Sequence, residues 1–171
     1  LDKYTGMSSS GSGAATAAFL CATSLGEDTG GSIRFPAAWC GLVGLRPSFG
    51  RVSRYGVIPI IWSMDAIGPM SRSVEDAAIT LGAIAGHDPK DPHTWNTPVP
   101  NYQKILEGNI KGIRAGVVTE FVNADTVEEE VRAHARSWVY RPGALSGGRG
   151  RAARAACSPR RPGHRMSVHA K

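Results

Sequence analysis

Cysteine is scarce in this chain: Cys21, Cys40 and Cys157 are the only three in 171 residues, and no two of them form a Cys-x-x-Cys pair. An odd count without that spacing indicates neither a disulfide framework nor a zinc site, leaving buried free thiols in a reducing compartment as the plain reading. Histidine offers a metal no more, since His87 and His93 fall in a Pro/Asp-rich stretch and His164 and His169 near the end, without ligand spacing. No cofactor is therefore indicated. Long apolar runs are missing too. None approaches the ~18 residues that cross a bilayer, and Leu1-Asp2-Lys3-Tyr4 lacks the basic-then-apolar order of a secretory leader. These absences point to a globular, cytoplasmic protein with no membrane partner.

Acid is absent from one part of the chain altogether. Residues 1–135 hold all 14 Asp and Glu and 11 of the 20 Lys and Arg, a balance of 11 − 14 = −3, whereas residues 136–171 hold the other 9 cations and no acid, a balance of +9. The two parts are different kinds of sequence. We read residues 1–137 as a partial domain and residues 138–171 as a basic tail dominated by Arg, Ala, Gly, Pro and Ser. Such a tail has little apolar surface to set against an ordering cost of ~1–2 kcal/mol per residue, so disorder is expected of it. The abrupt change of composition is also what out-of-frame translation of a GC-rich gene produces. Nucleic-acid binding is the competing reading, with phosphates held by arginine, but no aromatic follows Tyr140 to stack on bases.

What the sequence does contain is Gly26-Glu27-Asp28-Thr29-Gly30-Gly31-Ser32-Ile33-Arg34-Phe35-Pro36. Two glycines before a serine allow positive φ and a close approach of backbone N–H groups to one point. That suits an oxyanion hole beside a nucleophilic hydroxyl. It equally suits a Gly-Gly turn capped by serine. Upstream lies Gly6-Met7-Ser8-Ser9-Ser10-Gly11-Ser12-Gly13, which alone would pass for a linker, but it runs straight into an Ala-rich apolar segment over 14–25 whose length suits a short buried helix.

Together these blocks resemble the amidase signature family. The resemblance continues through Cys40-Gly41-Leu42-Val43-Gly44-Leu45-Arg46-Pro47, Gly50-Arg51-Val52-Ser53-Arg54-Tyr55-Gly56, Ser63-Met64-Asp65-Ala66-Ile67-Gly68-Pro69-Met70-Ser71-Arg72-Ser73-Val74-Glu75-Asp76 and Ala85-Gly86-His87-Asp88-Pro89. It covers roughly residues 1–135, the middle of a family member. It implies an α/β fold with a mixed central sheet flanked by helices, here incomplete at both ends. It also implies a Ser–Ser–Lys triad that hydrolyses amides through an acyl-enzyme. Ser32 falls on the nucleophile and Ser8, 32 − 8 = 24 positions earlier, on the bridging serine, which in the family follows a cis peptide bond. The amides of Thr29, Gly30, Gly31 and Ser32 fall on the oxyanion hole, while Asp28, Arg34 and Ser9 fall on supporting positions. Met7 stands where the family has glycine. The triad lysine lies in a segment upstream that this chain does not contain, and Lys3 does not match it. The partners implied are a small amide substrate or, in the branch of glutamyl-tRNA amidotransferase A subunits, further subunits.

Elsewhere the residues speak for themselves. Phe35 to Pro47 suits a tightly packed loop and strand beneath the nucleophile. Gly56 and Pro59 exclude a regular central strand through 51–61, and Trp62 and Met64 suit either core or a substrate channel. Ser73 before Val74-Glu75-Asp76 predicts an N-cap, with a helix running to Gly86. A surface connection is expected over 86–100, a short helix over 102–107, a buried strand over 113–118, and a helix bearing Val127, Val131, Ala135 and Trp138 on one face.

Overall fold

The computed structural model describes residues 4–107 and 125–139. Strands β1 (Thr23–Asp28), β2 (Val43–Gly44) and β3 (Ala66–Ser71) form one antiparallel sheet in the order β1-β3-β2. Thr23 pairs with Ser71 and Asp28 with Ala66, so β3 is the spine of the described sheet. Helices α1 (Ser10–Ala17), α2 (Arg34–Trp39) and α3 (Val74–Ile84) pack against it, and α4 (Tyr102–Ile105) packs on α3. Helix α5 (Glu129–Val139) follows later in the chain. This is a partial α/β fold, in which the described strands are all antiparallel.

The Ala-rich segment is helical over only its first part. Helix α1 begins earlier than expected, at Ser10, and stops at Ala17 in a Schellman turn: Leu20 N–H donates to Ala15 O (2.9 Å) and Phe19 N–H to Thr16 O (3.3 Å). Phe19 takes the left-handed position that glycine usually fills, at φ 62°. The Arg72 guanidinium fixes this turn, donating to Thr16 O (3.0 Å) and Cys21 O (2.8 Å) and lying 4.5 Å over the Phe19 ring. Helix propensity alone would have carried α1 further; pairing of Thr23–Asp28 with β3 overrides it.

The core sits where three strands present no side chain. Gly26, Gly44 and Gly68, one from each strand, make a floor for Ile33, which is fully buried with Met70 and Ala37. A Cβ on Gly68 would stand 2.1 Å from Leu45 O, and one on Gly26 would stand 2.9 Å from the Met70 methyl. Pro69 occupies the central strand, which sequence reasoning left unassigned. Its carbonyl accepts from Leu45 N–H at 3.0 Å, but proline cannot return the second bond of that pair, and β2 ends at Gly44.

Helix α3 starts as its cap dictates, with Ser73 Oγ accepting from Asp76 N–H at 3.0 Å. Residues 51–61 hold no regular strand, only a bridge between Val52 and Ala85. The connection expected at the surface is partly internal. Asp91 and Thr94 are buried, because Thr94 Oγ1 donates to the carbonyls of Asp88 and Asp91 and accepts from Asp88 N–H. The short helix appears as Tyr102–Ile105 behind an Asn101 cap. The strand expected over 113–118 and the basic tail over 138–171 lie outside the described residues, apart from the end of α5. Cys21 and Cys40 are free and half-buried rather than buried. No helix among the described residues is long and apolar enough to cross a membrane.

Candidate active site

The turn bearing Ser32 is held from both ends. At its start Asp28, with no exposed side-chain surface, accepts five hydrogen bonds: from Gly31 N–H (2.7 Å), Ile33 N–H (3.2 Å), Arg34 N–H (3.4 Å) and the Arg34 guanidinium (2.9 and 3.0 Å). Burial alone would raise its pKa, yet the Arg34 side chain and these backbone donors hold it below the usual carboxylate value. Arg46 adds a second cation, 3.3 Å from Asp28 Oδ1. At the far end Ile33 drops into the glycine floor and carries the chain into α2. Ser32 is caught between clamp and plug, itself 7% exposed. Positive φ occurs at Gly31 (131°), where any Cβ would enter the Phe35 ring.

The Gly31 N–H, which the resemblance implied for the oxyanion hole, is instead spent on Asp28, because a buried carboxylate takes the nearest donor. Thr29, Gly30 and Ser32 retain N–H groups that no hydrogen bond to Asp28 claims.

Ser8 is exposed, on the loop that enters α1. The next residue does the fastening: Ser9 Oγ donates to Glu27 O (3.3 Å) and accepts from Glu27 N–H (3.2 Å), tying the serine-rich loop to β1. A Cβ on Gly6 would stand 2.7 Å from Pro36 Cα, so the same loop also rests on α2, four residues beyond Ser32. The Ser8 and Ser32 loops are thus brought together. The Met7–Ser8 bond is trans, as no cis peptide occurs among the described residues; the cis bond implied by the resemblance is not formed.

Comparison with known proteins decides what this arrangement belongs to. The family model described as Amidase matches residues 1–140. The chain belongs to the amidase signature family. It is 53% identical over 133 residues to the A subunit of a glutamyl-tRNA(Gln) amidotransferase from Synechococcus elongatus, covering 78% of this chain and 28% of the relative. The corresponding protein from Rubrobacter xylanophilus is 55% identical over 132 residues, 77% of this chain and 27% of its own. Among solved structures, the A subunit of the Thermotoga maritima glutamyl-tRNA(Gln) amidotransferase superposes with TM-score 0.67 and 37% identity over 74% of this chain and 28% of its own. The native peptide amidase from Stenotrophomonas maltophilia superposes with TM-score 0.56 and 48% identity over 60% and 22%. The chain therefore spans little more than a quarter of the curated relatives it matches.

This amidase-family segment also assembles residues that sequence reasoning did not single out. Asp65, 2% exposed, accepts from the Thr29 hydroxyl (2.6 Å) and from the N–H groups of Ile60 (2.8 Å) and Ile61 (3.1 Å). Glu27 faces it: burial, then the charge of Asp65, push the Glu27 carboxyl above its usual range, and its Oε1 is buried without a hydrogen bond. Arg54 stands near both, its guanidinium between the rings of Phe49 (4.3 Å) and Trp62 (4.6 Å) and 3.8 Å from Asp91. The available signal was position: Asp65 and Arg54 fall inside blocks that carried the resemblance, but nothing in their spacing says that they converge. No group of three His, Cys, Asp or Glu able to hold a metal ion occurs among the described residues.

Proposed function

We propose that this chain is the nucleophile segment of a cytoplasmic enzyme that hydrolyses the carbon–nitrogen bond of small amides through an acyl-enzyme on Ser32. The observation that carries the reading is the Asp28 clamp. By engaging Gly31, Ile33 and Arg34, it fixes the backbone on both sides of Ser32, which is what attack at a defined angle requires. Ser32 Oγ forms the bond to the carbonyl carbon while its proton passes through Ser8 to a lysine, implied by the resemblance, outside the matched stretch. The N–H groups of Thr29, Gly30 and Ser32 receive the oxyanion. Collapse of the tetrahedral intermediate breaks the C–N bond and the amine leaves with the proton; water then cleaves the ester to the acid. Removing a nucleophile from such a centre costs about a million-fold in kcat. In a full-length enzyme containing this segment, Ser32→Ala should therefore abolish amidase turnover, with Ser10→Ala still active. A near-normal rate in Ser32→Ala removes the assignment.

A second reading follows from the relatives. At 53 and 55% identity to amidotransferase A subunits, the segment would serve to release ammonia from glutamine within a complex with partner subunits. Glutamine-dependent amide transfer to misacylated tRNA, set against hydrolysis of simple amides by the same protein, separates the two.

A further inference from the structure

Residues 57–64 make a short loop that presents Ile58, Ile60, Ile61, Trp62 and Met64 to solvent, between 45% and 86% exposed. So much apolar side chain on one loop marks a binding face. The loop is also fastened to the turn that bears Ser32, at two independent points. Asp65 takes the N–H groups of Ile60 and Ile61 on one side and the Thr29 hydroxyl on the other, at 2.6 Å, three residues before Ser32. Arg46 donates to Asp28 O (3.2 Å) and to Met64 O. A buried carboxylate satisfied by these donors has little freedom to shift, so loop and turn move as one piece.

We propose that Asp65 is a positioning residue that holds loop 57–64 as a wall of the Ser32 site, and that this wall selects amides carrying an apolar group of several carbons over short ones. The inference rests on the amidase reading of Ser32 and adds a substrate class to it. The apolar chain of the substrate lies along Ile60 and Ile61 while its carbonyl reaches Ser32. Each methylene so buried is worth about fourfold in affinity, and partial burial of the four that separate hexanamide from acetamide gives a preference of about 10- to 100-fold.

Binding of hexanamide and acetamide to the 171-residue chain, followed by calorimetry, reads the wall directly. Turnover is read in a graft of residues 4–139 into the matching stretch of the Rubrobacter xylanophilus relative, which also replaces the chain in the binding series if the chain alone shows no melting transition. Hexanamide should bind at least about tenfold more tightly than acetamide, and Ile60→Asn should remove the preference. Thr29→Val, which cuts the tether, should remove the binding preference, whereas Thr29→Ser, which keeps the hydroxyl, should retain it at an unchanged melting temperature. Equal affinities in the parent chain, or an unchanged preference in folded Thr29→Val, overturn the proposal. Turnover dependent on Ser32 but indifferent to chain length removes the wall and leaves the amidase reading; hexanamide preference without such turnover does the reverse.

Discussion

Glu27 and Asp28 are consecutive on β1 and so point to opposite faces of the sheet, and the two faces treat a carboxylate in opposite ways. On the Asp28 face the turn 29–34 closes over the side chain and supplies five hydrogen bonds, enough to outweigh its complete burial. On the Glu27 face the side chain meets Asp65, already satisfied by Thr29, Ile60 and Ile61, and one of its oxygens is buried with no donor. Asp28 is fully buried and Glu27 half-buried, so burial alone would push Asp28 up the further. What reverses the order is the number of N–H groups aimed at Asp28, against the charge of Asp65 beside Glu27, so that the one pKa falls and the other rises.

The largest way to break this contrast is Asp28→Ala. It strands the buried N–H groups of Gly31 and Ile33, while the exposed Arg34 guanidinium turns to water, and two buried donors left unsatisfied at about 1–3 kcal/mol each put about 2–6 kcal/mol at stake. Denaturant unfolding should show a loss of that size, and a loss below about 1 kcal/mol would mean that the clamp does not hold the turn. Acid titration of stability comes next. Asp28 is held below its ordinary 3.8, so its stabilisation is complete above that value and is lost as pH falls through its lower folded pKa. Melting temperatures of the parent should decline through that acid range, and Asp28→Asn, less stable above it, should decline by less, the remaining decline coming from Asp65 and Asp91, which are also held below their ordinary value. The smallest effect has the opposite sign. Glu27 is held above its ordinary 4.5, so the folded chain takes up a proton more readily than the unfolded one. Its contribution is complete below 4.5 and lost as pH rises through the raised folded value. At pH 7 Glu27→Gln should therefore raise the melting temperature slightly while flattening stability above pH 4.5, and a lower melting temperature at pH 7 would show that the charged form is held by a donor after all.

Much of the site could be read from the residues alone because its signals are local. Gly-Gly-Ser announces a turn with positive φ, and the structure places it at Gly31. The Ser73 cap likewise depends only on residues three apart. What could not be read depends on partners distant in sequence. Gly68-Pro69 looks like a strand breaker, and it is tolerated in the central strand because β2 ends at that level and needs no N–H from Pro69. The helix expected through residue 25 yields to a strand whose partner lies over forty residues away, with Thr23 opposite Ser71. Asp65 became visible as a site residue only once the fold had set it beneath Thr29, 36 residues earlier in the chain.

The glycine floor beneath Ile33 has a consequence for anyone who would evolve this protein. Where a site is shaped by side chains, it can be reshaped by exchanging them, and a library finds intermediates of graded fitness. Here the seat of the residue next to Ser32 is shaped by bare backbone, with an added carbon meeting Leu45 O at 2.1 Å from Gly68 and the Ala37 methyl at 2.5 Å from Gly44. No smaller step than alanine exists, and alanine already collides. Saturation libraries at positions 44 and 68 should come back almost empty, while the loop 57–64, which meets solvent, offers the adjustable surface. Adaptation of this site to new amides then has to run through its walls, because its floor cannot be varied by degrees.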